Sequence, residues 1–254
     1  MRIRKLFPLT AALLLVTSCG RQQTGAELGA VGSMELRYAE QFSVDYRADG
    51  CAVVSIGEDS FLVVPEDVDV PADSAGMTVI KQPVGNIYVA ASSAMDLFDG
   101  LGQLDKVAMT STTAASWSLP AIREKVEAGD IEYIGKYSSP DYEYLVAENC
   151  GLAVESTMIY HTPEVREKLE ALGIPVMVER SSYETHPLGR MEWMKLYGLL
   201  TGDTEAAEEL FDAKTKAFGE LSVADIPDSE RKTAAFFYIT SSGYFNIRKP
   251  PMNL

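Results

Sequence analysis

The sequence predicts an α/β protein built around a parallel sheet, with a β-meander ahead of it. From Asn86 onward, short apolar runs alternate with segments of helical spacing, which is typical of parallel strands joined by helices. Before that point, three β-like runs are separated only by turn signals. Near the C-terminal end, residues 204–224 keep an amphipathic helical period over about five turns.

The chain begins with a pattern typical of an export signal. The sequence MRIRKLFPLTAALLLVTSCG has a basic head followed by an apolar run from Leu6 to Val16. This run is shorter than the roughly 20 residues that a membrane helix needs. Its last four residues, VTSC, resemble the lipobox of bacterial lipoproteins, which implies a signal peptide over 1–18 and a lipid on Cys19. The alternative is a plain secretory signal with an incidental cysteine.

The charge of the chain is strongly acidic. There are 37 Asp and Glu against 22 Lys and Arg, for a net charge of −15. Removal of residues 1–18 takes away three basic residues and no acidic ones, so the net charge becomes −18. Such a surface repels phosphate backbones, which argues against a nucleic-acid partner. We therefore expect an extracytoplasmic protein, lipid-anchored to the cell membrane.

The segment after the signal predicts a tether and then the meander. Residues 19–33 are small and polar without a hydrophobic period, as in a flexible tether. The runs LRYAEQFSVDYR, CAVVSIG and SFLVVP follow, separated by DG and EDS turn signals. A Pro- and Asp-rich connection, VPEDVDVPADSAGM, leads out of the meander.

The middle of the chain predicts the parallel sheet. Predicted strands are IYVAAS (87–92), KVAMTS (106–111), IEYIG (131–135), LAVEST (152–157) and IPVMVE (174–179). Predicted helices between them are 93–104, 119–129 and 163–173, and DYEYLVAEN (141–149) continues the alternation. The helix 119–129 has Pro in its first turn and Gly past its end. Helices of this length between strands predict a sheet that is covered on both faces.

The C-terminal part predicts two helices and the beginning of another domain. A helical pattern over 191–200 is followed by a break at 201–203. The next helix places Ala207, Leu210, Phe211, Lys214, Phe218 and Leu221 on one face. A strand is predicted at 232–239, after which the sequence leaves room for little more than a loop. We therefore expect the second domain to be incomplete.

The order of these parts resembles one class of transport protein. Residues 92–107 (SSAMDLFDGLGQLDKV) and 174–210 resemble the iron-siderophore, haem and cobalamin class of ABC transporter substrate-binding proteins. The resemblance covers roughly 35–250 and is closest to lipid-anchored, iron-related members from Gram-positive anaerobes. It implies two α/β lobes joined by a long helix, with the ligand between them.

The resemblance also implies domain limits and a function. The N-terminal lobe with its meander would span 34–200, the inter-lobe helix 201–226 and the start of the incomplete second lobe 227–254. The protein would capture an iron chelate (a ferric siderophore or haem) or a corrinoid without catalysis. It would deliver this ligand to a membrane permease whose partner ATPase supplies the energy. No resident cofactor is expected.

Candidate ligand-binding residues follow the predicted strands, because ligands of open α/β sheets lie beyond the carboxyl ends of the strands. These candidates are Trp117, Tyr137, Tyr160, Tyr183, His186 and Arg190, with Tyr244 and Arg248 from the second lobe. Aromatic rings can stack on a macrocycle, and arginine can pair with anionic groups of a chelate. Alternatively, Trp117 and Tyr160 cap hydrophobic surface, and Arg190 pairs with Glu184 or Glu192.

Other kinds of site have little support in the sequence. The two histidines, His161 and His186, are too few for a metal site built by the protein alone. A GxSxG elbow and a P-loop are absent from the sequence, so an enzyme is not expected; the alternative is an exported α/β enzyme or adhesion domain. Cys51 and Cys150 could form a disulfide or remain two buried thiols.

One acidic residue is a candidate for permease docking. The family resemblance implies that Glu143 lies on the top surface of the N-terminal lobe, where it would meet arginines of the permease. Asp141 is a near alternative for this role. An ordinary solvated acid at a helix start is the other interpretation, because the helix dipole favours such a residue there.

Overall fold

The computed structural model describes residues 29–220 and, farther along the chain, 227, 229–230, 232, 237–240 and 242–247. The predicted signal peptide, Cys19 and Arg248 lie outside these residues. Among the described residues, the helices are too short or too polar to cross a membrane.

The first sheet contains the predicted meander and two strands that the sequence analysis missed. Its strands are β1 (Ala30–Ser33), β2 (Phe42–Arg47), β3 (Ala52–Ile56), β4 (Asp59–Val64) and β5 (Thr78–Lys81), in that order. The successive strands from β1 to β4 each pair antiparallel with the next strand, as in a meander. The last pair, β4 and β5, is parallel, and the connection over 65–77 supplies the crossover that a parallel pair needs.

The tether prediction is wrong at its end. Residues 30–33 form β1, which pairs with β2 through backbone hydrogen bonds. All four side chains of β1 are exposed, so this strand carries no hydrophobic alternation that a sequence pattern could reveal.

The second sheet is the predicted parallel sheet. Its first three strands are β6 (Ile87–Val89), β7 (Val107–Thr110) and β8 (Glu132–Tyr133). A separate short hairpin of β9 (Gly135–Lys136) and β10 (Ser139–Pro140) follows. The last two strands of the sheet are β11 (Leu152–Ser156) and β12 (Val176–Glu179). The order is β12-β11-β6-β7-β8, and every pair is parallel. The chain therefore enters the sheet at its centre, builds outward to β8, and returns to build the other half from β11.

In the described part of the chain, six α-helices connect these strands and follow them. They are α1 (Ser92–Gly100), α2 (Pro120–Ala128), α3 (Tyr142–Ala147), α4 (Pro163–Ala171), α5 (Pro187–Thr201) and α6 (Thr204–Glu220). As predicted, α2 has Pro in its first turn and ends at Gly129 with a left-handed φ of 79°. The α/β class with a parallel sheet is thus confirmed.

The parallel sheet has a hydrophobic core on each face. Side chains of a strand alternate between faces. Leu152 and Val154 of β11 therefore join the first core, which contains residues from the first sheet, α1 and α5. Ala153 between them faces the second core, to which α3 contributes Leu145 and α4 contributes Leu169. The prediction of a sheet covered on both faces is confirmed.

The two C-terminal helices pack closely at a glycine. A Cβ added to Gly198 of α5 would lie 2.4 Å from the Cβ of Ala207 on α6, so only glycine permits this approach. The helix predicted over 201–226 is observed over Thr204–Glu220, because Gly202, with φ 83°, ends α5. Within α6, Ala207 and Phe211 are buried, whereas Phe218 is half-exposed, so the predicted apolar face is buried only in its first half.

The remaining described elements form a small hairpin. The strand β13 (Phe237–Ile239) pairs antiparallel with β14 (Phe245–Ile247), and their side chains are exposed. The strand predicted at 232–239 is observed only over its last three residues, since much of this stretch lies outside the described part. Cys51 and Cys150 are both buried free thiols, which decides between the two alternatives for this pair.

Candidate functional site

The carboxyl edge of the parallel sheet carries an open cavity. Strand order reverses between β6 and β11, and such a reversal is where ligands of open α/β sheets bind. Beside this point, a cavity of about 320 Å³ follows the ends of β11 and β12. Its lining residues are Thr157, Met158, Tyr160, His161, Arg180 and Tyr183. This volume lies at the small end of the range of ligand pockets.

One wall of the cavity is a short 3-10 helix over Thr157–His161. The Ser156 hydroxyl accepts a hydrogen bond from the Met158 N–H and so begins this turn. Ile159 is fully buried in the second core and anchors the turn to the sheet. Tyr160 is 52% exposed, so its ring is available on the cavity side of the turn.

The opposite wall follows β12. Glu179 ends the strand, and its two carboxylate oxygens accept hydrogen bonds from the Ser93 hydroxyl (2.7 Å) and the Ser181 N–H (2.8 Å). The next turn, Ser181–Tyr183, carries the half-exposed ring of Tyr183. The hydroxyls of Tyr183 and Thr157 lie 2.9 Å apart and join the two walls.

Arg180 provides a cation at the cavity. Its guanidinium carbon lies 5.2 Å from the centre of the Tyr183 ring. Its Nε donates a hydrogen bond of 3.3 Å to Oε1 of Gln41. Arg180 forms no ion pair with the described carboxylates, and its two Nη groups donate no hydrogen bond to described residues. A guanidinium with free Nη groups can bind a carboxylate or phenolate in bidentate fashion.

The structure brings together two of the predicted ligand residues, Tyr160 and Tyr183. Trp117 instead lies in the first core, where its indole Nε1 donates a hydrogen bond to the Thr112 carbonyl. Tyr137 lies in the turn between β9 and β10. Tyr244 precedes β14 and is 74% exposed. These last three residues do not line the cavity.

His186 immediately precedes α5, and Arg190 lies in the first turn of this helix. Neither residue lines the cavity. The Nδ1 of His186 accepts a hydrogen bond from the Leu188 N–H and caps α5, and its ring stacks on Tyr38 at 4.7 Å. The Nη2 of Arg190 donates to the Ser182 carbonyl at 3.2 Å. The alternative in which Arg190 pairs with Glu184 or Glu192 is therefore wrong.

Those two glutamates instead hold the segment between β1 and β2. Five successive backbone N–H groups donate to them: Arg37, Tyr38 and Ala39 to Glu192, and Glu40 and Gln41 to Glu184. The Trp193 indole donates to Glu184, and Lys195 donates to Glu192. We call Glu184, Glu192 and the N–H groups of residues 37–41 the glutamate clamp.

The electrostatics of the clamp favour an ionised carboxylate at Glu192. Burial by itself would raise the pKa of Glu192. The backbone N–H groups of Arg37, Ala39 and Tyr38, together with Lys195, outweigh burial and hold the pKa of Glu192 below its usual value. Glu192 is therefore charged at neutral pH, and the clamp joins the first sheet to α5.

Another buried glutamate, Glu155, lies two residues before the 3-10 helix that forms the first wall of the cavity. Glu155 of β11 is fully buried, and both of its carboxyl oxygens lack a hydrogen-bond partner among the described residues. The Tyr88 hydroxyl on the neighbouring strand β6 is also buried without such a partner. Burial raises the pKa of Glu155 to about 8, so this carboxyl is largely protonated at neutral pH.

Sequence reasoning did not select Arg180 and His161 as ligand candidates, although both residues line the cavity. Arg180 is the first residue after the apolar run of β12, and His161 ends the turn that follows β11. Both positions follow from the rule that ligands meet the carboxyl ends of strands. Among the described residues, no three His, Cys, Asp or Glu converge as a metal site would require.

The candidate docking residue lies at the same edge of the sheet. The Asp141 N–H donates a hydrogen bond of 2.8 Å to the Ile134 carbonyl just after β8, so α3 begins at the carboxyl edge. The Asp141 side chain caps α3 by accepting from the Tyr144 N–H. Glu143 in the first turn is exposed. The docking role of Glu143 stays a prediction.

Comparisons with known proteins identify the fold. No protein-family model matches the sequence, and no curated protein matches it. Among solved structures, the petrobactin-binding protein YclQ from Bacillus subtilis matches with 16% identity and a TM-score of 0.53, covering 72% of this chain and 60% of that one.

Two further structures have lower scores. The periplasmic haem-binding protein HutB of Vibrio cholerae matches with 17% identity and a TM-score of 0.49, over 63% of this chain and 57% of that one. The catecholate-siderophore binding protein VctP from Vibrio cholerae matches with 15% identity and a TM-score of 0.48, over 66% and 56%. The chain spans about three fifths of the length of these structures.

The likeness to the petrobactin-binding protein shows that this chain shares the fold of periplasmic binding proteins. The fold is therefore that of the proteins that the sequence resembles, and the resemblance is confirmed at the level of the fold. At this identity the likeness concerns the fold alone.

Proposed function

We propose that this protein is an extracytoplasmic substrate-binding protein of an ABC importer. It captures a ferric siderophore, haem or a corrinoid without covalent chemistry and delivers it to a membrane permease. The observation that carries the proposal is the cavity at the carboxyl edge of the parallel sheet, where Tyr160, Tyr183, His161 and Arg180 lie together.

The cavity chemistry favours an anionic, aromatic chelate. The exposed rings of Tyr160 and Tyr183 offer flat apolar faces for an aryl group or macrocycle. Arg180 offers a cation that the described carboxylates leave unpaired, although the chain as a whole is strongly acidic. A local cation in an acidic protein favours a ligand that carries carboxylates or phenolates.

The attachment and delivery steps of the proposal depend on residues outside the cavity. Cys19 would carry the lipid that holds the protein at the membrane. Glu143 would contact the permease from the exposed first turn of α3. Because Glu143 and the cavity are at the same edge, docking would bring the bound ligand to the side that faces the permease.

Titration of the full chain tests the binding step. Haemin, a ferric tris-catecholate and cyanocobalamin are titrated separately while tryptophan fluorescence is recorded. We expect saturable binding of at least one of them, weakened at least tenfold by Arg180→Gln if the ligand is anionic. The matched control is Lys216→Gln, which removes one exposed positive charge from α6. Absence of saturable binding to all three probes would contradict the proposal.

Cell fractionation tests the anchor. Cys19→Ala is expected to release the protein from the membrane fraction or to leave an uncleaved precursor. A mature-sized Cys19→Ala product that stays in the membrane fraction would contradict lipid attachment.

Uptake measurements test docking. Glu143→Lys is expected to impair uptake of the ligand while its affinity stays nearly unchanged. The matched control is Glu148→Lys, which reverses an exposed charge at the other end of α3. Equal loss of uptake in both variants would point to a general charge effect rather than to docking at Glu143.

A further inference from the structure

We infer that Gln41 is a positioning residue that sets the direction of the Arg180 guanidinium, so that the first sheet determines the charge selectivity of the cavity. The inference rests on the proposed function for its ligand, but the positioning itself is a property of the protein alone. Gln41 does not line the cavity; it acts through Arg180.

Three contacts surround the Arg180 guanidinium. Its Nε donates to Oε1 of Gln41, and its central carbon lies over the Tyr183 ring, 5.2 Å from the ring centre. On a third side, a Cβ built on Gly57 would lie 3.9 Å from Nη1, so the turn between β3 and β4 abuts the guanidinium. Two of these three neighbours, Gln41 and Gly57, belong to the first sheet and its connections.

The backbone of Gln41 is fixed from both sides. Its N–H donates to Oε1 of Glu184 at 3.0 Å, as the last of the five N–H groups in the glutamate clamp. The next residue, Phe42, begins β2, and its buried ring packs edge-on against Trp193 at 4.9 Å. Because this backbone is already fixed, only the side-chain torsions of Gln41 lose freedom when it holds Arg180.

The chemistry of an amide suits this role. The Gln41 carbonyl oxygen accepts one hydrogen bond and carries no charge, so it directs the guanidinium without neutralising it. Among the described residues, only Nε has a hydrogen-bond partner, so both Nη groups are left for a ligand. A glutamate at position 41 would instead form an ion pair with Arg180 and compete with an anionic ligand for it.

The binding test uses two probes of different charge on the full chain. An anionic ferric tris-catecholate and a neutral ferric tris-hydroxamate are titrated against the native protein, Gln41→Ala, Gln41→Glu, Arg180→Gln and the double variant Gln41→Ala/Arg180→Gln. Gln41→Ala is expected to weaken catecholate binding roughly tenfold, as for loss of one hydrogen bond to a charged group. Gln41→Glu is expected to weaken it more, and neither variant changes hydroxamate affinity.

The double variant separates positioning from a structural effect. If Gln41 acts through Arg180, Gln41→Ala has no further effect once Arg180 is absent. The matched control is Glu40→Gln, which alters the exposed neighbouring side chain while its backbone N–H stays in the clamp. Additive losses in the double variant, or equal losses for both probes, would overturn the inference.

A readout without ligand separates this inference from the proposed function. The ¹⁵N–¹H resonance of the Arg180 Nε, assigned by its loss in Arg180→Gln, reports the hydrogen bond directly. We expect a sharp, slowly exchanging signal in the native protein and in Glu40→Gln, and a fast-exchanging one in Gln41→Ala. An unchanged signal in Gln41→Ala would overturn the inference, whereas a changed signal with no chelate bound would support it and contradict the proposed function.

Discussion

Glu192 and Glu155 are both fully buried glutamates, yet their surroundings shift their pKa values in opposite directions. Both side chains have 0% of their surface exposed. Glu192 accepts hydrogen bonds from three backbone N–H groups and from Lys195, and its pKa lies below the usual value. Glu155 accepts no hydrogen bond from the described residues, and burial raises its pKa to about 8.

The difference shows that partners, rather than burial, decide the charge of a buried carboxyl. Burial disfavours the charged form at both sites. Around Glu192, N–H dipoles and one ammonium more than offset this cost, so the carboxylate stabilises the joint between the first sheet and α5. Around Glu155 nothing described offsets it, so the group is neutral at low pH and costly to ionise at high pH.

Removal of Glu192 should have the largest effect. Glu192→Ala leaves three backbone N–H groups without an acceptor and the buried Lys195 without its carboxylate partner, and we expect a loss of about 5 kcal/mol in the free energy of unfolding. Urea unfolding followed by circular dichroism measures it. The control, Glu209→Ala, removes an exposed acid from α6 and should change stability by about 0.5 kcal/mol or less. Similar losses of stability in both variants would show that the hydrogen bonds of Glu192 in the clamp do not stabilise the protein.

The pH dependence of stability tests Glu155. Since its folded pKa of about 8 lies above the unfolded value, its stabilising contribution is complete below the unfolded pKa and is lost as pH rises through the folded pKa. From pH 5 to 8 this loss amounts to about 4 kcal/mol. Glu155→Gln cannot ionise and should lack this decline, so it is the more stable protein at pH 8.

Urea titrations of both proteins at several pH values measure this difference. Glu155→Gln and the native protein should have nearly equal stability at pH 5, because the native carboxyl is then protonated. A native protein whose stability does not fall more steeply than that of Glu155→Gln would show that this carboxyl is ionised at neutral pH.

The two tryptophans provide a smaller test of the clamp. Trp193→Phe removes the hydrogen bond to the Glu184 carboxyl group and should cost about 2 kcal/mol. Trp117→Phe makes the same change where the acceptor is the neutral Thr112 carbonyl, and should cost about 1 kcal/mol. Both are measured by urea unfolding. A larger loss for Trp117→Phe would mean that the hydrogen bond to Glu184 in the clamp is not the stronger of the two.

The smallest expected effect concerns the hydroxyl beside Glu155. Tyr88→Phe deletes a buried group that has no described partner, and we expect a gain of about 1 kcal/mol in stability. Differential scanning calorimetry measures the shift in melting temperature. Destabilisation by Tyr88→Phe would reveal a partner of this hydroxyl, such as a buried water molecule shared with Glu155.

The sequence predicts the parallel sheet well because its signals are local. Apolar runs such as IPVMVE mark buried strands, and Gly129 marks the end of a helix. In contrast, β1 has four exposed side chains and exists only because β2 supplies its hydrogen bonds. The parallel pairing of β5 with β4 likewise depends on a partner that no local pattern identifies.

The candidate site was predictable in its place but only partly in its residues. Tyr160 and Tyr183 follow from the rule that ligands meet the ends of parallel strands. His186 satisfies the same rule, yet it caps α5 and stacks on Tyr38, which its position in the sequence does not reveal. The backbone N–H partners of Glu184 and Glu192 lie more than 140 residues away, so this structural role could not be read from neighbouring residues.

This separation along the chain fixes an order of events during folding. The chain is synthesised from its N-terminus, so residues 37–41 are made long before Glu192. Glu192 follows Arg37 by 155 residues. Until α5 forms, their N–H groups bind water, and closing so long a loop is entropically costly. The joint between the first sheet and α5 is therefore made late, and the first sheet stays unattached to α5 until α5 itself has been synthesised and has formed.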